Sequence, residues 1–373
     1  MAERSSPIGI LPYQSLRELV RQQEIAADSA IRDEQLQPAS LDLRLGPVAY
    51  RVRASFLPGR MASVAERLKH YSMHEFDLAA GAVLERGCVY VVPLLERLRL
   101  PPRVEGFANP KSSTGRLDVF TRLIADRSDV FDRVPAGYAG PLYAEIAPRT
   151  FSIVVRAGSR LNQLRLRRGG GPLGDRALHL LHQQTPLVRR ADGDSGIAGG
   201  IAVSIDLTGE TSNRLIGYKA RKHTDLIDID RAQHYDILDF WEPIQSRREP
   251  RLILDPDDFY IVASREWVSV PPDHAAEMIA YNPLVGEFRA HYAGFFDPGF
   301  GWEAAGGRGS RAVLEIRSHE VPFAMEHGQV VARLAYEPLT DRPDRLYGAG
   351  IGSSYQRQGL ALGKHFKQEG AAS

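Results

Sequence analysis

The stretch NPKSSTGRLDVF, residues 109–120, sets Ser112, Ser113, Thr114 and Gly115 between Lys111 and Arg116. Serine hydroxyls and backbone amides donate to anionic oxygens and a flanking cation supplies charge, so the loop suits a phosphate. The same residues also suit a capped helix start or a polar turn, because Ser and Thr oxygens bond nearby backbone N–H groups. The spacing is not that of a Walker loop. Which reading holds depends on what the rest of the chain places beside it.

Other centres are excluded more firmly. Cys88 is the only cysteine, which rules out a disulfide framework and any zinc site built from several thiolates. The H-x-E and P-C-x-x-C signature of zinc-dependent nucleobase deaminases therefore cannot be built. His274, in HAAEM, does not extend to H-E-x-x-H, and His319 and His327 have no third ligand at a recognisable spacing. No set of side chains is expected to hold a metal.

A chain of 373 residues is long for one core and suits two domains. With a formal net charge of +1 it has no general grip on nucleic-acid backbone, so no nucleic-acid partner is expected and any anion must be held locally. The opening MAERSSPIGILPYQS lacks a signal-peptide core, and no stretch reaches the roughly 18 apolar residues of a membrane span. A cytoplasmic protein with no membrane partner is expected.

Ser15 with Glu18 three residues later spells a capping box, and Leu16, Leu19 and Val20 follow at helical spacing, which predicts a short helix. Beyond it ASLDLRLG, CVYVVPLL, GPLYAEIAP and FSIVVRAG are short, rich in β-formers and bounded by Gly and Pro, a mostly β pattern. Residues 167–200, dense in Gly, Arg and Asp, read as a surface connection, which puts a domain boundary near 190. The units expected are 1–190 and 191–373.

The second unit echoes the first. PASLDLRLG around Asp42 pairs with AVSIDLTGE around Asp206, VYVVPLLERLRLPP with FYIVASREWVSVPP, and the segment around Glu145 with the one around Glu315. Because the elements keep their order, duplication of one β fold is the reading adopted.

The succession PASLDLRLG, KSSTGR, AGFFDPGFG, VLEI and a tail with YQRQ resembles the dCTP deaminases, relatives of the trimeric dUTPases. That resemblance implies two tandem dUTPase-like domains, each a distorted β-barrel or jelly-roll-like unit with a few short helices. It also implies a site between units, with a phosphate loop on one and a base-reading hairpin and catalytic glutamate on the other. Carried onto this chain, the phosphate loop is Lys111, Ser112, Ser113, Thr114, Gly115 and Arg116, whereas the matching NPLVGEFR of the second unit has no hydroxyls.

The hairpin is Ala293 to Phe300, with Phe296 and Asp297, close to A-x-R-[IV]-D-P-G-[WY]; in the first unit Pro135 stands where the aspartate belongs. Glu315 and Glu145 both match the catalytic position, and Glu315 is favoured because it follows the intact hairpin. Gln163 matches a position behind the phosphate loop, and Asp42 and Asp206 match a motif near the metal-bound triphosphate. Tyr347, Tyr355 and Gln358 match the nucleotide-closing tail, in which Ser354 replaces the usual lysine, so that Arg357 or Lys364 becomes the substitute cation.

The implied reaction is deamination of dCTP to dUTP and ammonia without zinc. Glu315 activates water, Arg116 and Ser112 orient it, and Arg116 keeps the carboxylate ionised. Magnesium is expected with the triphosphate, dTTP as a feedback ligand, and a homo-oligomer with threefold or pseudo-threefold packing. Alternatives are a dUTPase or bifunctional enzyme releasing pyrophosphate, and a non-catalytic nucleotide-binding regulator.

Overall fold

The computed structural model describes the chain except residues 1–6, 191–195, 210–213, 281–287, 292–293, 304–308, 319, 349–358 and 368–373. Each half is built mainly from two antiparallel sheets. In the first half, one sheet centres on Val89–Arg99 and Ala139–Pro148; the other centres on Asn162–Arg168, flanked by Val104–Pro110 and Leu41–Leu43. In the second half their counterparts centre on Phe259–Val268 with Ser310–Ser318, and on Val330–Pro338 flanked by His274–Ala280 and Ile201–Ser204. The fold is mainly β, as the short Val- and Ile-rich runs predict.

The duplication is visible in the pairing register. Glu145 lies opposite Val91 and Glu315 opposite Ile261, so the two glutamates occupy equivalent rungs. Gln163 faces Asn109 as Arg333 faces Ile279. Val134 pairs with Gly106 as Phe296 pairs with Ala276, which puts Pro135 in the place of Asp297, as the sequence comparison expects.

One sequence pairing is corrected. Gln163 faces Asp42, but Arg333 faces Ala202, so Asp206 is not the counterpart of Asp42. The buried carboxylates agree with that alignment: Glu96 accepts from the Arg44 amide at 2.8 Å, and Glu266 from the Ser204 amide at 2.7 Å. The S-[LI]-D-L match is out of register because four residues of common type carry too little information to fix a β ladder. Asp206 is bound instead by Arg311 at 2.5 Å and by the Thr208 hydroxyl at 2.6 Å.

Two local expectations also shift. The first helix is Tyr13–Arg21, entered through Pro12 without a side-chain cap; Ser15 lies inside it, and Glu18 bonds Arg21 and Gln22. The stretch read as a connection contains the helix Asp175–Gln184 and the short strand Val188–Arg189. Leu178, Leu187 and Val188 are buried in the second core, so the chain leaves the first half near the glycines at 169–171 rather than near 190. Leu178 and Leu181, three residues apart, define the helical face that the Gly-rich flanks obscure.

The halves share a core. Ile153 pairs in parallel with Ile227, joining them into one small sheet. Around this junction Trp241 packs its ring 5.4 Å from Phe151 of the first half and 5.9 Å from Phe366 of the C-terminal segment. Leu45, Tyr90, Ile146, Phe259, Leu362 and Phe366 belong to the same buried cluster. Ser310–Ser318 is buried at every position, so both of its faces are covered, and the charged Arg311, Glu315 and Arg317 on it must each find a partner. Among the described residues no helix is long and apolar enough to cross a membrane.

Trp241→Ala should lower the unfolding free energy by about 3–5 kcal/mol, since it removes a fully buried ring that bridges the halves. Leu238→Ala, at a residue 62% exposed, should change it by less than about 0.5 kcal/mol. Urea denaturation of the two variants checks the contrast.

Candidate active site

A cavity of about 430 Å3 opens where the two halves meet, and its walls come from both. The first half contributes Lys111, Ser112, Ser113, Thr114, Arg116, Asp42 and Gln163. The second contributes Phe296, Asp297, Phe300, Glu315 and Tyr347, and the C-terminal segment adds Lys364 and His365. Both walls belong to one chain, a point that sequence left open.

Ser112–Gly115 forms a single helical turn that begins after Lys111 in extended conformation. Thr114 and Gly115 return their amides to the Lys111 carbonyl and Arg116 to that of Ser112, which leaves the amides of Ser112 and Ser113 at the open start of the turn. The Thr114 hydroxyl donates to the Leu161 carbonyl at 3.0 Å, so it braces the loop instead of facing a ligand. Gly115 is buried within the turn and is not part of the cavity wall. Lys111 pairs with Asp42, and Arg160 lies 3.7 Å from the same carboxylate. The other Asp42 oxygen, Oδ1, is buried and unpartnered.

Across the cavity Glu315 faces Arg116, with Oε1 3.9 Å from Nε, near enough for charge attraction and too far for a direct hydrogen bond. Arg116 Nη1 also donates to the Ala361 and Leu362 carbonyls at 3.2 and 3.3 Å, which anchors residues 361–362 to the 111–116 turn. Behind this pair Arg317 binds Asp118, and its Nη2 donates to the Thr150 hydroxyl at 2.8 Å.

The expectation that Arg116 keeps Glu315 ionised is overturned. Burial raises the Glu315 carboxyl to about 8, Arg116 opposes it only in part, and Asp118 adds to the rise. Removing a carboxylate from water outweighs one guanidinium at this separation.

The hairpin wall is held from both sides. Phe296 and Phe300 meet edge to face at 5.0 Å, and Phe300 lies 5.6 Å from the Tyr347 ring. Gly299 has φ +97°, and a Cβ there would sit 2.8 Å from the Tyr347 carbonyl, so only glycine fits this crossing. Asp297 is committed to Arg165 of the first half at 3.0 Å.

Glu145 is not brought to the cavity. Burial raises its pKa, opposed in part by the nearby Ser55 hydroxyl and Phe56 amide, and its Oε2 has no hydrogen-bond partner. Phe56, with Val64 and Leu68 of the helix Val64–Tyr71, packs over Val91, Ile124 and Tyr143 on the strands beside it. This 53–71 connection covers the first-half rung equivalent to the one that faces the cavity at Glu315. Ala293, Tyr355 and Gln358 lie outside the described residues, as do residues 282–287 of NPLVGEFR.

Sequence reasoning missed Arg160, Arg165, Asp230 and His365. His365 is buried; its Nε2 pairs with the Ile229 carbonyl at 3.1 Å, and its Nδ1 has no partner. Burial, helped by Lys364, pulls its pKa down to about 4. Lys364 itself is lowered by burial and by Lys111. The sequence signal was adjacency: Lys364 and His365 follow Leu360 and Leu362, whose apolar side chains dock the segment.

Residues 174–366 match the family model described as 2'-deoxycytidine 5'-triphosphate deaminase (DCD), C-terminal domain, and residues 7–170 match the model of its N-terminal domain. A crystal structure of 2'-deoxycytidine 5'-triphosphate deaminase from Agrobacterium tumefaciens is 56% identical, with a TM-score of 0.86 over 89% of this chain and 99% of that one. A protein of Halobacterium salinarum named "dCTP deaminase, dUMP-forming" is 28% identical over 186 residues, 48% of this chain and 90% of its own length. A Halorubrum lacusprofundi protein named dCTP deaminase is 28% identical over 135 residues, 35% of this chain and 63% of its own.

The elevated carboxyl has a thermodynamic signature. Between the ordinary carboxylate range and about 8 the folded chain holds a proton on Glu315 that the unfolded chain has lost, so this group's contribution to stability falls as pH rises. Glu315→Gln should therefore raise the melting temperature of the ligand-free protein at about pH 9 and change it little at about pH 4, where the carboxyl is mostly protonated in both states. Calorimetric scans at the two pH values check it.

Proposed function

The chain belongs to the dCTP deaminase family, and from this premise we propose that the cavity holds dCTP with its triphosphate on the first half and its base on the second. The observation that carries the reading is Glu315 facing Arg116 across the interface at 3.9 Å. A gap of that size is bridged well by one water, which would lie between a carboxylate able to take its proton and a guanidinium able to orient it.

In the proposed reaction water oxygen bonds to C4 of cytosine as its proton passes to Glu315. Glu315 hands that proton to N3 as C4 becomes tetrahedral; it then takes the proton of the new C4 hydroxyl and gives it to N4, so that the C4–N4 bond breaks, the C4 carbonyl forms and ammonia leaves. A carboxyl near 8 suits both halves of this cycle, because it accepts and gives back a proton close to working pH. Arg116 and the Ser112 hydroxyl would stabilise charge developing on the attacking oxygen. The backbone at Gly294 to Phe296 would present its polar groups to the pyrimidine edge, with Phe296 and Phe300 against the sugar.

At the phosphate end Lys111, Arg160 and Lys364 supply cations, Lys364 taking the part of the lysine that Ser354 replaces. Magnesium would bind chiefly to phosphate oxygens and water, screening their charge. The unpartnered Oδ1 of Asp42 suits a hydrogen bond from such a water. Product is the finer question. Deamination alone gives dUTP; the relatives named dUMP-forming favour a second reading in which pyrophosphate also leaves.

Incubation with dCTP, with ammonia, dUTP, dUMP and pyrophosphate quantified, tests both readings. Ammonia and dUTP in equal amounts support the first; dUMP with pyrophosphate supports the second; no ammonia rejects both. Glu315→Gln should lower kcat about a thousandfold, whereas Glu145→Gln keeps most of it. kcat/KM should rise with pH through a limb near 8, and Arg116→Gln should move that limb upward, because the guanidinium is what opposes the effect of burial.

A further inference from the structure

Arg165 lies behind the cavity wall, on the strand Asn162–Arg168 of the first half, and is almost wholly buried. Its guanidinium reaches into the second half. Nη1 donates to the Ala276 carbonyl at 3.0 Å, and Nη2 to Asp297 Oδ1 at 3.0 Å and to the Phe296 carbonyl at 3.4 Å. The Phe295 ring lies under it, with the guanidinium carbon 4.1 Å from the ring centroid. One side chain thus grips Phe295 by its face, Phe296 by its carbonyl and Asp297 by its carboxylate.

Apolar packing also holds that segment, but its backbone ladder is short. Phe295–Phe296 is a two-residue strand, paired among the described residues with Ala276 and Glu277. Gly294 adds one bond, from the Met278 amide at 3.1 Å. A strand this short has too small a ladder to set its own position to the fraction of an ångström that hydrogen-bond recognition demands. A buried guanidinium with a planar fork does have that precision, because its donors cannot be satisfied elsewhere once water is excluded. Phe295 occupies the hairpin position at which the motif quoted above carries arginine, so here the cation arrives from the neighbouring strand.

We propose that Arg165 is a positioning residue for pyrimidine discrimination: it fixes residues 295–297 from behind, and does so from the strand whose Gln163 lines the phosphate end of the cavity. Base-reading and phosphate-holding groups are thereby kept at one separation. The proposal rests on the reading of the hairpin as the element that meets the base.

The experiment uses the full chain in a Glu315→Gln background, which binds without turnover, and measures dCTP, dUTP and pyrophosphate affinities by calorimetry. Arg165→Lys keeps the charge beside Asp297 and loses the fork. dCTP affinity should fall about tenfold to a hundredfold and the dCTP to dUTP ratio should shrink toward one, while pyrophosphate affinity stays within about twofold. Equal losses for dCTP and pyrophosphate, or an unchanged ratio, would overturn the proposal.

Phe295→Arg combined with Arg165→Leu moves the guanidinium onto the hairpin and should restore most of the ratio; a folded swap without discrimination counts against the proposal, and decides alone if Arg165→Lys does not fold. Phe296→Ala separates the two levels. If it too leaves the ratio unchanged, the hairpin is not the base reader; if it shrinks the ratio and Arg165→Lys does not, only the role of Arg165 fails.

Discussion

The functional geometry depends on charged groups that are buried in pairs across the junction of the two halves. Arg116 meets Glu315, Asp118 meets Arg317, Arg165 meets Asp297 and Arg167 meets Glu337, each pair with one partner from each half. Such pairs add little net stability, because desolvation consumes most of the attraction, but losing one partner costs about 3–5 kcal/mol. They therefore specify an arrangement more than they strengthen it. The first two pairs are crossed: the first half offers cation then anion, Arg116 and Asp118, to the anion then cation of Glu315 and Arg317. A slip of two residues along Ser310–Ser318 would set Arg116 against Arg317, which the buried junction could not tolerate.

The same desolvation that enforces this packing tunes the chemistry. Glu315 sits deep enough that burial overrides its guanidinium, so it holds a proton near neutrality and can give one up a little above it. A more exposed carboxylate would be a weak base, and one in direct contact with Arg116 would be weaker still. The 3.9 Å separation keeps the pair between those limits. Beside Asp42, burial together with the neighbouring cations Lys111 and Arg160 holds Lys364 below the usual lysine range.

Duplication supplied two copies of one framework, and the copies diverged by covering different faces. Glu145 and Glu315 occupy the same rung, yet Ser55, Phe56 and the helix Val64–Tyr71 close over the first while the second stays open to the cavity. A Ser63 and Glu66 capping box starts this helix. Nothing in SVAERLKHY indicates which strand the helix will cover.

Much of the candidate site was legible because its signals are local. The hydroxyl-rich turn, the Asp-Pro-Gly hairpin and the alternation around Glu315 each fix backbone geometry within a few residues, and the order of such elements revealed the family. Short matches failed where register mattered, as with Asp42 and Asp206, because a four-residue match cannot distinguish neighbouring rungs of a ladder. The sequence by itself determined which side chains could bind phosphate, read a base and move a proton. Only the tertiary structure decided that they converge within one chain, that Arg165 and His365 stand among them, and that Glu315 keeps its proton. Those outcomes depend on burial and on distances between residues far apart in sequence, and neither is encoded in any single stretch of it.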